Sequence, residues 1–266
     1  MRTAGIDIGS STAKAVILED RKILAYRIIP TGPDSLETAR EVFREVLVGA
    51  NLRPEDIEYV VSTGYGRNLV SFGHKTITEI SCHARGAHWI FPEARTILDM
   101  GGQDCKAIAC DERGDVVDFR LNDKCAAGTG RFLEIMAETM GLKIEEIGKI
   151  SLEAENRVKI NSVCTVFARS EALRLLRVGL RKKDVLAGLH DSVCDRVLLI
   201  LNSIGIKPDF VVTGGIAKNI GVIKRLEERI GLSIKIPDEP QIVGALGAAL
   251  FASDILEGIK LEYKSA

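Results

Sequence analysis

Two stretches of the chain alternate apolar and polar positions on the same plan. "AGIDIGSSTAKAVILEDRKILA" (4–25) and "TILDMGGQDCKAIACDERGDVV" (96–117) each begin with a short apolar run ending in Asp. Each continues through a small glycine turn, a lysine, an alternating run and a charged hairpin turn. The period of two predicts strand, loop, strand in both copies. After the first copy, "SLETAREVFREVLVGA" is apolar at helical spacing, "DIEYVVSTGYG" predicts a strand entering a glycine turn, and 79–90 predicts a helix. After the second, helices are predicted at about 127–140, 165–178 and 184–205, followed by a strand in "DFVVTGG" and a closing helix in "GALGAALFASDIL". Strands and helices alternate throughout, which makes the class α/β. "FPEART" at 91–96 marks the expected boundary between a first lobe, 1–95, and a second lobe, 96–266, with the closing helix able to pack back on the first.

Composition narrows the partners. With 266 residues and 46% hydrophobic content, the chain can bury a sizeable core. Lys+Arg 36 against Asp+Glu 37 leaves a net charge of -1, so there is no basic field for nucleic acid or anionic lipid, and neither is expected as a partner. The longest apolar stretches, such as "VGALGAALFA", fall short of the ~20 residues that span a bilayer. Asp7 interrupts the only N-terminal apolar run, so no signal-peptide core is read and a cytoplasmic location is expected. The six cysteines, at 82, 105, 110, 125, 164 and 194, are dispersed, unlike a secreted disulfide framework; reduced thiols or metal ligands are expected.

The glycine turns carry the candidate chemistry. "DIGSSTAK" sets flexible backbone, three hydroxyls and Lys14 at a strand end, where amides can wrap a phosphate and Asp7 can hold magnesium through water. In "DMGGQD", Asp99, Gly101 and Gly102 form a second such turn, with Gln103 suited to orienting a water and Asp104 as a further polar group. One turn alone reads as a plain hairpin, but two facing turns can clamp a polyphosphate. "VVTGGIAKN" brings Gly214 and Gly215 where a base or ribose can lie close to the backbone. No Walker GxxxxGK[ST] and no GxGxxG follows any strand, which argues against P-loop and dinucleotide folds. Duplicated strand–turn–strand phosphate loops followed by a strand ending in TGG resemble the two-lobed ATPase fold, with duplicated subdomains, of actin, hexokinase and the large heat-shock chaperones. That resemblance implies ATP in a cleft between lobes.

Two cysteines stand apart. "NDKCAAGTGRFLE" and "INSVCTVFARSE" place Cys125 and Cys164, 39 positions apart, just ahead of helices whose end amides and dipole favour a thiolate. Small buried residues are the alternative. An iron–sulfur cubane takes four thiolates, which a dimer sharing one cluster would supply, and zinc accepts the same sulfurs.

Together with "DIGSSTAK", "TGYGR", "ISCHARGA", "DMGGQD", "VTGGIAKN" and "QIVGALGAAL", these segments resemble the activator ATPases of 2-hydroxyacyl-CoA dehydratases, of the BadF/BadG/BcrA/BcrD type. The resemblance implies a homodimer with one 4Fe-4S cluster held by Cys125 and Cys164 of both chains. It implies ATP or ADP with Mg2+ in each chain, a ferredoxin or flavodoxin as electron donor, and the dehydratase as acceptor of a low-potential electron. Phosphate contacts then fall on Gly9, Ser10, Ser11, Thr12, Lys14, Gly101, Gly102 and Gln103, and nucleoside contacts on Gly214, Gly215, Lys218 and Gln241. Asp7, Asp99 and Gln103 are the expected catalytic residues. Close alternatives are the ATPase subunit of a benzoyl-CoA-type reductase, a small-molecule kinase of the same fold and a non-catalytic nucleotide-binding regulator.

Some residues depart from or fall outside this pattern. Arg169 stands where the activators usually carry an acidic residue; pointing inward it would raise the cluster potential, and pointing outward it is a surface residue. Cys105 and Cys110 fall on opposite sides of a strand and are expected in the core. His83 and His88, five apart on a helix, are expected to be structural histidines rather than metal ligands. The basic run "RVGLRKKD" (177–184) reads as a solvated helix end that could dock an acidic ferredoxin.

Overall fold

A computed structural model describes residues 1–122, 128–160 and 164–259. Strand β1 (Arg2–Ile8) runs antiparallel to β2 (Thr12–Glu19), and β2 to β3 (Lys22–Pro30). Asp20 and Arg21, both at positive φ, close the second hairpin, the turn geometry that matches strand twist. Helix α1 (Ser35–Ala50) starts at Asp34, whose carboxylate accepts from the amides of Leu36 and Glu37, and buries Ala39, Val42, Phe43, Val46 and Leu47 on one face. Strands β4 (Tyr59–Thr63) and β5 (Lys75–Thr76) then add in parallel, and α2 (Glu79–Ile90) starts from a Thr78 cap.

The second half repeats the plan. Strands β6 (Thr96–Met100), β7 (Cys105–Cys110) and β8 (Val116–Leu121) form the antiparallel meander. Four helices come next: α3 (Gly130–Thr139), α4 (Ile144–Leu152), α5 (Thr165–Arg177) and α6 (Lys182–Ile204). Then β9 (Phe210–Thr213) pairs parallel with β6, α7 (Ile220–Ile230) crosses over, β10 (Ile234–Lys235) pairs with β9, and α8 (Val243–Leu256) closes the chain's described part. The strand orders β3-β2-β1-β4-β5 and β10-β9-β6-β7-β8 are the same topology twice. The duplication extends to register, since Asp7 lies opposite Lys14 in one meander and Asp99 opposite Lys106 in the other.

Helices α8 and α2 lie between the sheets. Leu246, Ala249 and Leu250 of α8 pack with Val16 and Leu18 of the first sheet, while Ile80, Ala84 and Ala87 of α2 pack with Ile97, Ile108 and Val211 of the second. Both helices are therefore apolar on opposing faces. The far side of the second sheet carries the largest core, in which Leu98, Met100 and Val212 meet Phe132 of α3 and Leu189 and Val193 of α6. Among the described residues, no helix is long and apolar enough to cross a membrane.

The observed helices differ from the predicted ones at their ends. Helix α3 begins at Gly130 rather than near 127, and α6 begins at Lys182 rather than 184. Helix α4 lies beyond the predicted set, because it is only 9 residues long and carries Gly148 where it packs close to Asn219 and Gly221.

Candidate active site

The strand ends of β1, β6 and β9 open into one cleft of about 1080 Å³ between the sheets. Its floor is made by the two equivalent aspartates. Asp7 pairs with Lys14 at 3.3 Å, and Asp99 with Lys106 at 3.3 Å. Their surroundings then diverge. Asp99 also accepts from the Thr213 hydroxyl at 3.2 Å and faces His83 Nε2 at 3.5 Å. Burial alone would raise the Asp99 carboxyl, but His83, Lys106 and Lys14 outweigh it and hold it at about 2, so it is ionised at neutral pH. Lys106 is buried too; burial would lower its pKa, yet Asp99 and Asp104 hold it above the usual lysine range.

Two loops face each other above this floor. The first is pinned from β3's end, where the Thr31 hydroxyl donates to Gly9 O at 2.8 Å and the Thr31 amide to Ser11 O at 2.9 Å. The second is closed by the Gly101 amide on Asp104 O at 2.9 Å. The loops touch at Gly102, where any Cβ would fall 2.7 Å from Ser11 Cβ, so only glycine permits the approach. Ser10, Ser11, Thr12 and Gln103 line the same cleft, with Gln103 exposed into it.

The third loop needs Gly214 for a different reason: its φ is +82, and its amide donates to Pro240 O at 2.9 Å. Lys218 Nζ donates to Gln241 Oε1 at 2.9 Å and to Glu239 Oε2 at 2.8 Å, which sets Gly215, Lys218 and Gln241 along one wall. All residues expected to touch phosphate or nucleoside thus share one cleft.

The second loop is also bonded to the start of α3. Gly101 O accepts from the Gly130 amide at 2.9 Å and Gly102 O from the Arg131 amide at 2.8 Å. The first two amides of α3 are therefore committed to this loop, and they are not open donors for an anion near Cys125 as the helix position alone implies. Asn122 Oδ1 accepts from the Cys105 amide at 2.8 Å, and the Cys105 thiol donates to Gly128 O at 3.3 Å. Cys125 itself lies outside the described residues.

Cys164 sits away from the cleft, half-buried at the N-cap of α5. Its surroundings suit an anionic sulfur site: the helix start has no side-chain cap, and the buried Thr165 hydroxyl has no partner among the described residues. The other described cysteines do not suit one. Burial raises the thiols of Cys82 and Cys105 and pushes those of Cys110 and Cys194 up to about 12. Cys105 and Cys110 face different cores on the two sides of β7. Among the described residues no cluster of three or more His, Cys, Asp or Glu is arranged as a metal site. Arg169 is exposed, its Nε donating to the Thr139 hydroxyl at 3.0 Å. In the basic run, Arg181 and Lys183 pair with Glu155 at 3.0 and 2.8 Å, and Lys182 donates to Met140 O, so much of its charge is satisfied within the chain.

Lys106 lines the cleft without having been an expected site residue, and so does His83, which the sequence places among structural histidines. Its neighbour in that pair, His88, points away and packs over Gly114 in the β7–β8 hairpin. The only signal for it in the sequence is "ISCHARGA" itself, a polar ring within a run of small residues.

A profile of the BadF/BadG/BcrA/BcrD ATPase family matches residues 4–252. The (R)-2-hydroxyglutaryl-CoA dehydratase activating ATPase of Acidaminococcus fermentans is 45% identical over 252 residues, covering 94% of this chain and 96% of the relative. The solved activator of the 2-hydroxyisocaproyl-CoA dehydratase from Clostridium difficile, with bound ADPNP, superposes with a TM-score of 0.92 at 43% identity, each chain covered in full. A hexokinase of the ROK type from Thermus thermophilus shares the fold alone, with a TM-score of 0.56 at 17% identity over 96% of this chain and all of the hexokinase.

Proposed function

The chain belongs to the BadF/BadG/BcrA/BcrD ATPase family, and from that premise we propose that it is the ATP-hydrolysing activator of a 2-hydroxyacyl-CoA dehydratase, to which it delivers a low-potential electron. The observation that carries this is the pair of hydrogen bonds from the first amides of α3 to Gly101 and Gly102. They tie a phosphate-binding loop to the helix that begins 5 residues after Cys125.

The chain's own residues bind and orient the nucleotide. Backbone and hydroxyls of Gly9, Ser10, Ser11 and Thr12 face Gly101 and Gly102 across the phosphates, with Lys14 supplying charge, while Gly214, Gly215, Lys218 and Gln241 receive the nucleoside. Asp7, less enclosed by donors than Asp99, is the better placed to hold water on Mg2+. Gln103 orients the attacking water. Asp7→Ala and Gln103→Ala should each slow ATP hydrolysis roughly a hundredfold while leaving iron content unchanged. Unchanged turnover in steady-state assays of both variants would remove these assignments.

A 4Fe-4S cluster, when bound, supplies the one-electron chemistry. Cys164 and Cys125 would hold it, two thiolates from each of two chains. Val166 and Phe167, 68% and 69% exposed on the first turn of α5, offer apolar surface beside Cys164 for the pairing of chains. A ferredoxin or flavodoxin would reload it in the cytoplasm. The test is protein purified without oxygen: about four irons per dimer and a brown cluster spectrum are expected. Four irons per single chain, or none, would sink the shared site.

A further inference from the structure

The sequence marks His83 as a structural histidine of α2, yet it is 5% exposed in the floor of the cleft and is bonded to the end of β9 rather than along its own helix. Its Nδ1 lies 3.0 Å from Thr213 Oγ1, a contact spanning 130 positions of sequence. Thr213 Oγ1 in turn lies 3.2 Å from Asp99 Oδ1, and Thr213 is fully buried.

The direction of these bonds is set by the groups available. Asp99 is ionised and only accepts, so the single hydroxyl proton of Thr213 goes to Asp99 Oδ1. The Thr213 oxygen is then left as an acceptor, and the donor that reaches it is Nδ1–H of His83. The chain of donation runs His83 to Thr213 to Asp99. Meanwhile Lys106 Nζ, at 3.3 Å, and His83 Nε2, at 3.5 Å, both face the other oxygen, Asp99 Oδ2. Neither oxygen of the carboxylate is free to turn.

We propose that His83 is a positioning residue for ATP hydrolysis: by donating to Thr213 it fixes the orientation of the Asp99 carboxylate. The equivalent Asp7 has the same strand-end position and the same cross-strand lysine, but no such relay among the described residues. The duplicated fold thus carries one aspartate held rigid and one left to adjust, and His83 makes the difference. Its helix also matters. Helix α2 packs against α8 as well as the second sheet, and Asp7 Oδ2 and His83 Nε2 converge on Gly244 of α8. A shift of α2 against the second sheet would therefore release Asp99, and a preorganised carboxylate is worth most where charge develops in the transition state.

The inference rests on the cleft being the site of ATP hydrolysis, and the experiment separates the two. Wild type, His83→Ala, His83→Asn, Thr213→Val and the His83→Ala/Thr213→Val pair are assayed for kcat and KM with ATP, with thermal melting alongside. His83→Ala should lower kcat roughly tenfold or more with KM little changed, the pattern of lost positioning rather than lost binding. Asn places an amide nitrogen near Nδ1 and should restore most of kcat. Thr213→Val, nearly isosteric, should match His83→Ala, and the double variant should be no worse than either, because one relay is broken once. Additive losses, or a kcat that Ala leaves untouched, overturn the proposal while leaving the ATPase site standing. A wild-type protein that hydrolyses no ATP overturns both.

Discussion

Cys164→Ala should yield a folded, ATP-binding protein that carries no iron, while Cys194→Ala keeps its full complement. The contrast comes from two environments in one chain. Cys194 is buried, its thiol pushed up to about 12 and pointed at Val222 O at 3.7 Å, so at neutral pH it is a neutral, core-filling group. Cys164 stands half-buried at a helix start without a side-chain cap, beside a hydroxyl unpartnered among the described residues. Its side chain makes no cap hydrogen bond, so truncation removes little of the helix's own stability, within about 1 kcal/mol. Iron analysis, the visible spectrum and thermal melting of the two variants decide the matter. Iron retained by Cys164→Ala, or lost from Cys194→Ala at an unchanged melting temperature, would end the assignment of Cys164 as a ligand.

Much of the fold was legible because the chain writes it twice. The Asp, glycine turn and lysine of 4–25 recur in 96–117, and the strand register turns each pair into a cross-strand contact, Asp7 with Lys14 and Asp99 with Lys106. The glycine and hydroxyl loops were legible only because they recur, since one such turn alone reads as a plain hairpin and two can face each other over one cleft. His83 was not legible because α2 is buried on two faces, so a histidine among Cys82, Ala84 and Gly86 looks like core whichever way it points. Its partner Thr213 lies 130 positions away. The commitment of the α3 amides was invisible for another reason: backbone groups carry no sequence signature, and a helix start reads as an open anion site until something else is seen to occupy it.

That commitment leads to the remaining prediction, that ADP and a non-hydrolysable ATP analogue hold α3 in measurably different states. The carbonyls of Gly101 and Gly102 hold α3, and the same two residues line the cleft proposed for the phosphates, so one short loop serves both. A loop that moves when the terminal phosphate is lost must carry the first turn of α3 with it or break those two bonds. Phe132, Leu133 and Met136 anchor the rest of α3 in the core, so the helix responds as a body rather than by fraying. The nucleotide can shift this equilibrium only by its different affinity for the two states. Hydrogen exchange of the peptide spanning 128–139 should therefore differ at least severalfold between the two nucleotides, and so should iron release to a chelator from the loaded dimer. Arg131→Pro removes the amide that Gly102 O accepts, at a first-turn position where helices tolerate proline. Arg131→Ala, which keeps that amide and loses only an exposed pair with Glu134, is the control. With nucleotide saturating in each case, the proline variant should lose most of the ADP-to-ATP difference and the alanine variant should keep it. Equal exchange and equal chelation with both nucleotides in the unaltered protein would mean that the second glycine loop and α3 are uncoupled, and the proposed activator function would be left without a route from ATP to Cys125 and Cys164.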